Sequence, residues 1–426
     1  MKNKNNKKNK TNGNRRISDI VTIVLFLGFI FGFAIAFVLM PDVSSNKYEN
    51  TLQRFPYSEE DGVKPEDRTD KLIDGTLHGE LATKMDEYFC DQFPFRKQFV
   101  TLKALAEKLT LRGVNNGVAD LGDYLVTTRF NSAGFDTLTE FYSEEHVQTT
   151  LESLKAAIDT AKVPVDVILP PRVIDVMAPL LNYPTYVSDK LNRQAADILG
   201  DSYVDVMDYL RELTFEIPSV TQDIGIQPYF MTDHHWTPVG AFYVMERWMS
   251  EWNDLQPQFE SFDYEFVKGD FLGTSGRNGN YYNHGGEAMD VSRFTGEQHI
   301  RVKVGQSLSA LMQEEEKYFK EKVGMYDMEA LEGPDPFNVY LYGKSKYVHL
   351  QHKTEERETI LLLKDSFAHV FAPQLARYYD VVMVDIDLVN NLSLSGLIEQ
   401  TGADRVLVMY NLQNVIENDK LTTIKP

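Results

Sequence analysis

Two short segments of the chain hold the residue types that together can activate a hydroxyl group. Residues 231–238 read Met-Thr-Asp-His-His-Trp-Thr-Pro, so that Asp233 stands two residues before His235. Farther along, an apolar run leads into Lys-Asp-Ser-Phe, which puts Ser366 just after a predicted strand. A serine oxygen becomes a good nucleophile when an imidazole takes its proton and a carboxylate orients that imidazole. Asp233, His235 and Ser366 are therefore a candidate triad.

The elements that must position these residues follow an alternating pattern. Apolar runs typical of buried strands cover 163–169, 203–206, 360–363, 381–386 and 405–410, and helical stretches such as 151–161 and 190–199 lie between them. This alternation predicts a three-layer α/β fold with a parallel sheet. Active sites of such sheets lie at the carboxyl ends of the strands. The residues at these predicted ends are Ser366, Asp385, Asp387 and Asn411.

Local signals place the candidate triad beside two helices. Thr237 is predicted to cap a helix whose first residue is Pro238, which is a favoured arrangement. A second helix is predicted to start at Ser366, where free backbone N–H groups could hold an oxyanion. His234 alternates with His235, so its side chain is expected to point elsewhere. It is interpreted either as a supporting or substrate contact or as a plain surface residue.

Two further patterns in the sequence are only partly like known kinds of site. Asp233, His234, His235 and His284 could in principle bind a metal, but the paired spacing of a zinc site is missing. The sequence therefore predicts no metal and no other cofactor. The glycine-rich segment 271–282 lacks the Gly-Lys-Ser/Thr ending of a phosphate loop. It is interpreted as a flexible loop near the active site with Arg277 as a candidate sugar contact, or as an ordinary surface loop.

The amino-terminal residues indicate a membrane segment. Residues 1–16 contain seven lysines and arginines and no acid, and the 21 residues of 20–40 are uncharged. That stretch is long enough to cross a bilayer as a helix, with the basic tail in the cytoplasm and the chain after Pro41 outside. The alternative is a cleaved signal peptide that ends at Ala34-x-Ala36. The apolar run continues past that site and exceeds the usual length of about 7–15 residues.

Charge and cysteine usage narrow the class of protein. The formal charge is −20, and without the seven cationic residues of the tail it is −27. Phosphate binding needs clustered lysine and arginine. The strongly acidic charge of this chain therefore argues against nucleic acid as a partner. Cys90 is the single cysteine, which excludes an internal disulfide and a cysteine metal site. The predicted regions are a cytoplasmic basic tail (1–16), a transmembrane anchor (17–40), an extracytoplasmic stalk with a helical lead-in (41–115) and a catalytic domain (116–420).

These motifs resemble those of the DHHW protein family. The resemblance starts with Asp-His-His-Trp and Thr-Pro-x-Gly-Ala, and it spans most of residues 75–415. It also covers Lys-Asp-Ser-Phe-Ala, Val-Val-Met-Val-Asp-Ile, Arg-Val-Leu-Val-Met-Tyr-Asn-Leu-Gln-Asn, Asp-x-Phe-Pro-x-Arg and Gly-Val-Ala-Asp-Leu-Gly-Asp-Tyr-Leu. That family is SGNH-hydrolase-like and similar to the alginate O-acetyltransferase proteins of the bacterial periplasm. The resemblance implies a circularly permuted, flavodoxin-like SGNH fold, and it carries Asp233, His235 and Ser366 over as triad members.

The resemblance also implies an activity and a site around the triad. Lys364 stands where the founding SGNH motif has glycine, and Asn411 stands where an oxyanion asparagine is expected, with Asn414 as its rival. The implied activity is transfer of an acyl group, expected to be acetyl, to a cell-surface polysaccharide outside the membrane. Relatives work alongside a polytopic membrane-bound O-acyltransferase. The alternatives are a carbohydrate esterase with the same triad and a non-catalytic partner of that membrane protein.

Overall fold

The chain divides into two compact units, Met1–Leu102 and Lys103–Pro426, and the described part of the first is largely helical. The computed structural model describes residues 2–43, 52–58, 63–110, 113–127, 142–181, 186–216, 227–250, 256–305 and 319–426. The helices of the amino-terminal part are α1 (Lys2–Leu39), α2 (Arg68–Leu77), α3 (Glu80–Asp91) and α4 (Arg96–Leu109), the last of which runs into the second unit. Helices α3 and α4 are consecutive in the chain. Pro94 lies between them, as expected for a residue that interrupts a helix.

One stretch of α1 is apolar enough to cross a membrane. It covers Ser18–Leu39, 22 residues with a mean hydropathy of 2.8, and no other stretch of the described chain meets the same criteria. A signal sequence near the amino terminus can meet the same length and hydropathy criteria as an anchor.

The second unit is built on a mixed sheet. Its strands are β1 (Val114–Asn115), β2 (Val118–Asp120), β3 (Leu125–Thr127), β4 (Val165–Ile168), β5 (Asp263–Phe271), β6 (Glu287–Arg293), β7 (Ile300–Gly305), β8 (Phe319–Lys322), β9 (Tyr347–His352), β10 (Thr359–Lys364), β11 (Asp380–Asp385), β12 (Leu392–Ser393), β13 (Arg405–Met409) and β14 (Ile424–Lys425). Its helices are α5 (Glu144–Ile158), α6 (Val173–Leu181), α7 (Tyr186–Leu199), α8 (Met207–Glu216), α9 (Pro238–Ser250), α10 (Thr274–Asn278), α11 (Ala368–Leu375), α12 (Leu394–Thr401) and α13 (Leu412–Glu417).

The main sheet corrects the prediction of a parallel sheet. Its seven strands have the order β4-β13-β10-β11-β9-β7-β8. The first four are parallel, as predicted, whereas β9, β7 and β8 add to the edge in antiparallel fashion. The predicted strand at 203–206 is reduced to one parallel bridge between Tyr203 and Val167.

Strand β10 lies between two apolar cores, one on each face of the sheet. Ile360 and Leu362 pack into the core on one face, and Leu361 and Leu363 pack into the core on the other. Helices α6, α8, α9 and α11 contribute to the first core, and α5, α7, α12 and α13 contribute to the second. A strand buried on both faces carries an uninterrupted apolar run, which is why this strand could be read from the sequence.

Candidate active site

The three candidate triad residues meet although 131 positions separate His235 from Ser366. The Nε2 atom of His235 lies 2.7 Å from the Oγ atom of Ser366. Its Nδ1 atom lies 2.5 Å from Oδ1 of Asp233. Asp233 and His235 are buried, whereas Ser366 is half-buried and so remains reachable. This is the order of contacts in which a carboxylate orients an imidazole that in turn contacts a nucleophile.

Backbone groups hold the Asp233 carboxylate in place. Its Oδ1 accepts a hydrogen bond from the His235 amide (3.0 Å), and its Oδ2 accepts one from the Thr274 amide (2.6 Å). Burial alone raises the pKa of Asp233, but the neighbouring imidazoles of His234 and His235, together with these hydrogen bonds, hold it below its ordinary value. Asp233 is therefore an anion at neutral pH.

The loop before α10 fits against Asp233 because it contains a glycine. A Cβ atom on Gly273 would lie 2.3 Å from Cβ of Asp233, which is far inside contact distance. The close approach brings the Thr274 amide to the carboxylate. The same logic applies at Gly240 in α9, where a Cβ atom would lie 2.0 Å from the carbonyl oxygen of Pro228.

Glu287 in β6 is a supporting residue that the sequence did not reveal. Its carboxylate accepts hydrogen bonds from the amides of Met231 (2.7 Å) and Thr232 (2.6 Å) and from the Thr232 hydroxyl (2.6 Å). Burial raises the pKa of Glu287 to about 7 against the opposing effect of these bonds. Glu287 thus fixes the two residues directly before Asp233. It belongs to no motif and lies 54 positions after Asp233, so nothing in the sequence pointed to it.

Aromatic side chains enclose the His235 ring. Phe337 stacks on it with a centroid distance of 3.9 Å and an angle of 14°, and the Phe367 ring lies 5.0 Å away. The indole Nε1 of Trp236 donates a hydrogen bond to the carbonyl of Phe367 (3.0 Å), which ties the histidine segment to the serine segment. Thr237 accepts from the amide of Gly240 (3.2 Å), and α9 starts at Pro238, so the predicted cap is confirmed.

The serine lies in a turn, and the helix predicted to start at it begins two residues later, at Ala368. The reason is the side chain of Asp365. Its Oδ1 accepts from the Phe367 amide (3.0 Å), and its Oδ2 accepts from the Asn411 amide (2.6 Å). Burial raises the pKa of Asp365 to about 6. The carboxylate before the serine, rather than the serine itself, therefore shapes this turn.

A buried ionic cluster lies next to the nucleophile turn. The Nζ atom of Lys364 is 2.5 Å from Oδ2 of Asp385 and 2.8 Å from Nε2 of His369. Burial lowers the pKa of Lys364, and the contact with Asp385 opposes that shift. Burial and the Lys364 charge hold the pKa of His369 well below its ordinary value, so its ring is neutral and accepts from the ammonium group. Lys364 is thus an internal ion-pair partner.

A cavity of about 250 Å³ opens beside Ser366. Polar residues dominate its lining, among them Thr127, Arg172, His234, Asn278 and Asn414. The buried Arg172 guanidinium is held by Asp175 through contacts of 2.6 and 2.9 Å. Arg172 follows Pro170-Pro171, shortly after the carboxyl end of β4. It was not among the residues predicted for the site.

His234 lies at the rim of this cavity rather than in the triad. Its ring is 3.8 Å from that of His235, and its Nδ1 is 3.5 Å from Oδ1 of Asp233. Its side chain is 38% exposed. Burial of the rest of the ring, followed by repulsion from His235, lowers the pKa of His234 to about 4 despite that exposure. It is therefore a neutral group in the cavity lining.

The two candidate oxyanion asparagines are both engaged by the protein. The side chain of Asn411 donates to the carbonyl of Pro170 (2.9 Å) and accepts from the Gln413 amide (3.0 Å), so it caps α13. The Asn414 amide group donates to Oδ2 of Asp365 (3.2 Å). Both residues line the cavity.

Arg277 is buried away from the cavity lining. It forms an ion pair with Asp335 (2.9 Å) and donates to the carbonyl of Pro334 (3.2 Å) and to Oγ1 of Thr274 (3.0 Å). The segment predicted as a flexible loop contains the short helix α10, which Arg277 secures. Its position favours support of the Thr274–Asp233 contact over direct sugar binding.

Asp233, His234 and His235 could also hold a metal ion by distance alone. Their potential ligand atoms lie within 4.8 Å of one another, and no other such group occurs among the residues that the structure describes. His284, a fourth ligand suggested by the sequence, is not part of this group. Both ring nitrogens of His235 already have partners, Asp233 and Ser366, which a metal would have to displace.

Comparison with known proteins identifies the fold. The sequence matches no protein-family model and no curated protein. Among solved structures, a DHHW family protein from Eubacterium siraeum is similar, with a TM-score of 0.51 and 15% identity over 72% of this chain and 95% of that one. PatB1 from Bacillus cereus has a TM-score of 0.52 and 15% identity over 71% of this chain and 98% of that one. The structure of PatB1 with a sulfonyl adduct has a TM-score of 0.51 and 16% identity over 67% of this chain and 92% of that one. The O-acetyltransferase domain of Pseudomonas putida AlgJ has a TM-score of 0.40 and 12% identity over 71% of this chain and 93% of that one.

The α/β class expected from the sequence is therefore confirmed, whereas the circular permutation and the three layers stay predictions. At 15% identity the similarity concerns the fold, and the activity has to be argued from the site. The chain has the α/β fold of a solved DHHW family protein, the family that its Asp-His-His-Trp motif resembles.

Proposed function

We propose that the protein is an extracytoplasmic, serine-dependent O-acyltransferase that moves an acyl group, most simply acetyl, to a cell-surface polysaccharide. The observation that carries this proposal is the continuous chain of contacts from Asp233 through His235 to Ser366 beside a polar cavity. The resemblance of the motifs to the DHHW and alginate O-acetyltransferase proteins supplies the reaction class.

The contacts give each residue a step in the reaction. His235 Nε2 takes the proton of Ser366 as Oγ attacks the carbonyl carbon of the acyl donor. The tetrahedral intermediate collapses, the donor's oxygen leaves with the proton from His235, and the acyl group remains as an ester on Ser366. A sugar hydroxyl then attacks that ester while His235 accepts its proton and returns it to Ser366 Oγ. Asp233 stays ionised throughout and stabilises the imidazolium.

We further propose that the catalytic unit is a circularly permuted SGNH-like domain of three layers. The parallel part of the sheet has the order β4-β13-β10-β11. A flavodoxin-like sheet has the strand order 2-1-3-4-5. The two agree if β10, β11, β13 and β4 are strands 1 to 4, which requires that the original amino-terminal half now lies at the carboxyl end. The helices on both faces of the sheet support the same assignment.

The amino-terminal helix is proposed to be an uncleaved anchor with its basic tail in the cytoplasm. The support is the length of Ser18–Leu39 together with the excess of lysine and arginine before it. A polytopic membrane-bound O-acyltransferase, which would pass the acyl group across the membrane, is the partner that the resemblance implies. The intact mass of the protein extracted from membranes tests the anchor, because signal cleavage would remove residues 1–36.

Hydrolysis of a chromogenic acetyl ester tests the enzymatic proposal. The wild-type chain is expected to release acetate, and Ser366→Ala is expected to stop it while the fold remains. Ser395→Ala, at an exposed serine in α12, is the matched control and should keep full activity. A chelator should have no effect, because a serine triad needs no ion. Equal rates in wild type and folded Ser366→Ala would remove the triad from consideration.

An esterase with the same triad is the second candidate. It is favoured by the half-buried position of Ser366, which leaves water a route to an acyl-enzyme. Adding an oligosaccharide acceptor distinguishes the two activities, since a transferase yields an acetylated sugar and an esterase yields acetate alone. A non-catalytic partner of a membrane acyltransferase would give neither product.

A further inference from the structure

A group of large apolar side chains lies exposed in the first unit, close in sequence to the Asp-x-Phe-Pro-x-Arg segment. We call it the phenylalanine patch, and its members are Phe89 (49% exposed), Phe93 (42%), Phe95 (52%), Phe99 (42%) and Leu102 (60%). Soluble surfaces seldom expose so many large apolar side chains together, and such patches mark interaction sites.

The patch is packed around the apolar stretch of α1. The ring of Phe33 lies 5.4 Å from that of Phe93, 5.7 Å from that of Phe99 and 6.2 Å from that of Phe95. Phe33 is six residues before Leu39, where that stretch ends. In the anchored orientation proposed above, with Leu39 at the edge of the hydrocarbon layer, the helical rise places Phe33 about 9 Å inside that layer. The rings that surround Phe33 would then lie at the same depth.

Polar contacts fix this arrangement at the membrane exit. The side chain of Gln92, just before Phe93, accepts from the Val43 amide and donates to the Val43 carbonyl, both at 2.8 Å. The hydroxyl of Tyr88 donates to Asp42 (3.0 Å). These bonds tie the end of α3 to the residues that directly follow α1, so the patch cannot move away from the helix without breaking them.

The backbone at the tip of the patch adds an independent sign. Phe95 has a φ of 59°, a left-handed conformation that a bulky residue rarely adopts and that tends to persist at functional positions. It follows Pro94 and presents its half-exposed ring beside Phe33. Arg96 and Lys97 come next, and long basic side chains next to apolar rings suit the headgroup region of a bilayer.

We propose that the phenylalanine patch is a lipid-contacting surface, inserted into the acyl-chain region of the leaflet next to the folded part of the chain. The depth of Phe33 is the argument for lipid as the occupant, because at that depth the exposed sides of the neighbouring rings face hydrocarbon. Interfacial elements of this kind bury their apolar face about 5–10 Å deep, which agrees with the position of Phe33. The inference rests on the proposed anchoring by α1 and not on the proposed catalytic activity.

Depth-dependent fluorescence quenching tests the inference on the full-length chain. Cys90→Ser removes the single cysteine, and Phe95→Cys then takes an environment-sensitive label in phosphatidylcholine vesicles. Phe266→Cys, at a phenylalanine that is 62% exposed in β5, is the matched control, and Phe99→Cys is a second probe in case a label at 95 disturbs the turn. Lipids with a nitroxide on the acyl chain should quench the label at 95 and 99. Iodide in the buffer should quench it several-fold less than at 266.

Three results would overturn the inference in distinguishable ways. Iodide quenching at 95 and 99 equal to that at 266, in a chain of intact mass, overturns the lipid surface alone. A chain that has lost residues 1–36 overturns the anchor and the patch together. Labels that are exposed in pure lipid but shielded in native membranes identify a membrane protein as the occupant instead of lipid. The esterase assay is independent of all three.

Discussion

His235 has two ring nitrogens, and each has a partner of a different kind. Asp233 holds Nδ1 and Ser366 lies at Nε2, so the tautomer with its proton on Nδ1 leaves Nε2 free to act as a base. His234 has a longer contact, 3.5 Å, with the same carboxylate and no contact with the serine among the described bonds. The sequence favoured His235 because of the Asp-x-His spacing, and the contacts agree with that choice.

This difference predicts unequal effects of two adjacent substitutions. His235→Ala should lower kcat by about 10⁴–10⁶-fold, the range for loss of a triad member. His234→Ala should lower it by less than about tenfold, since a residue at the rim contributes binding rather than proton transfer. The measurement is steady-state hydrolysis of the acetyl ester by each folded variant. A larger loss for His234→Ala would transfer the role of base to His234.

Glu287 is expected to act through position rather than chemistry. Glu287→Gln puts an NH₂ group against a backbone N–H, which should shift the Asp233 segment and lower kcat by up to about 10²-fold, the cost of a small misplacement. KM should stay unchanged because Glu287 does not line the cavity beside Ser366. Glu265→Gln, at an exposed position in the paired strand β5, is the control. Equal losses in both variants, or a change in KM alone, would contradict a positioning role.

The strands of the main sheet differ in how clearly the sequence indicates them. An uninterrupted run of apolar residues predicts a strand directly, whereas a run of mixed apolar and polar residues does not. Strands β10, β11 and β13 are buried on both faces, so their sequences carry the signal directly. Strand β9 alternates between buried and half-buried residues, and the sequence reading passed over it together with β7 and β8. The start of α11 was predicted two residues too early, because the Asp365 carboxylate accepts from the Phe367 amide and holds Ser366 in a turn before the helix.

The position of the loop before α10 depends on a single glycine, Gly273. Gly273→Ala would put a methyl group 2.3 Å from Cβ of Asp233, so the Thr274 amide should be pushed off the carboxylate. We expect a loss of stability of about 1–3 kcal/mol, as for overpacking, and a loss of esterase activity. Gly113→Ala is the control, since its nearest neighbour would lie at 4.0 Å. Chemical denaturation and ester hydrolysis report the two effects, and a fully active Gly273→Ala would show that the contact is dispensable.

At the scale of the whole molecule, the site is assembled from segments that lie far apart in the chain. Asp233 and His235 precede α9, Thr274 begins α10, Glu287 opens β6, and Ser366 follows β10. A motif can indicate residues that act on the substrate, because chemistry restricts their types. Residues that act through packing and backbone contacts, such as Glu287 and Phe337, carry no such restriction, so only the fold reveals them.

The stability of the molecule should depend on a half-buried histidine that the fold keeps in the neutral form. Burial, followed by the charges of Lys303 and Arg301, lowers the pKa of His349 in β9 to about 4. The unfolded chain then binds a proton that the folded chain refuses, so the free energy of unfolding should fall as the pH falls from about 6.5 to about 4. His349→Gln should make this fall shallower. His299→Gln, at an exposed position, is the control, and an unchanged slope in His349→Gln would contradict the assignment.

Covalent labelling of the serine tests the central claim most directly. PatB1, which shares this fold, has been solved with a sulfonyl adduct, so a sulfonyl fluoride is a suitable reagent for an activated hydroxyl. Intact mass and peptide mapping of the labelled full-length chain should give one adduct, on Ser366, formed equally well with a chelator present. The adduct should be absent from Ser366→Ala and much slower to form in His235→Ala. Absence of labelling at Ser366, together with ester hydrolysis that a chelator stops and zinc restores, would contradict the account.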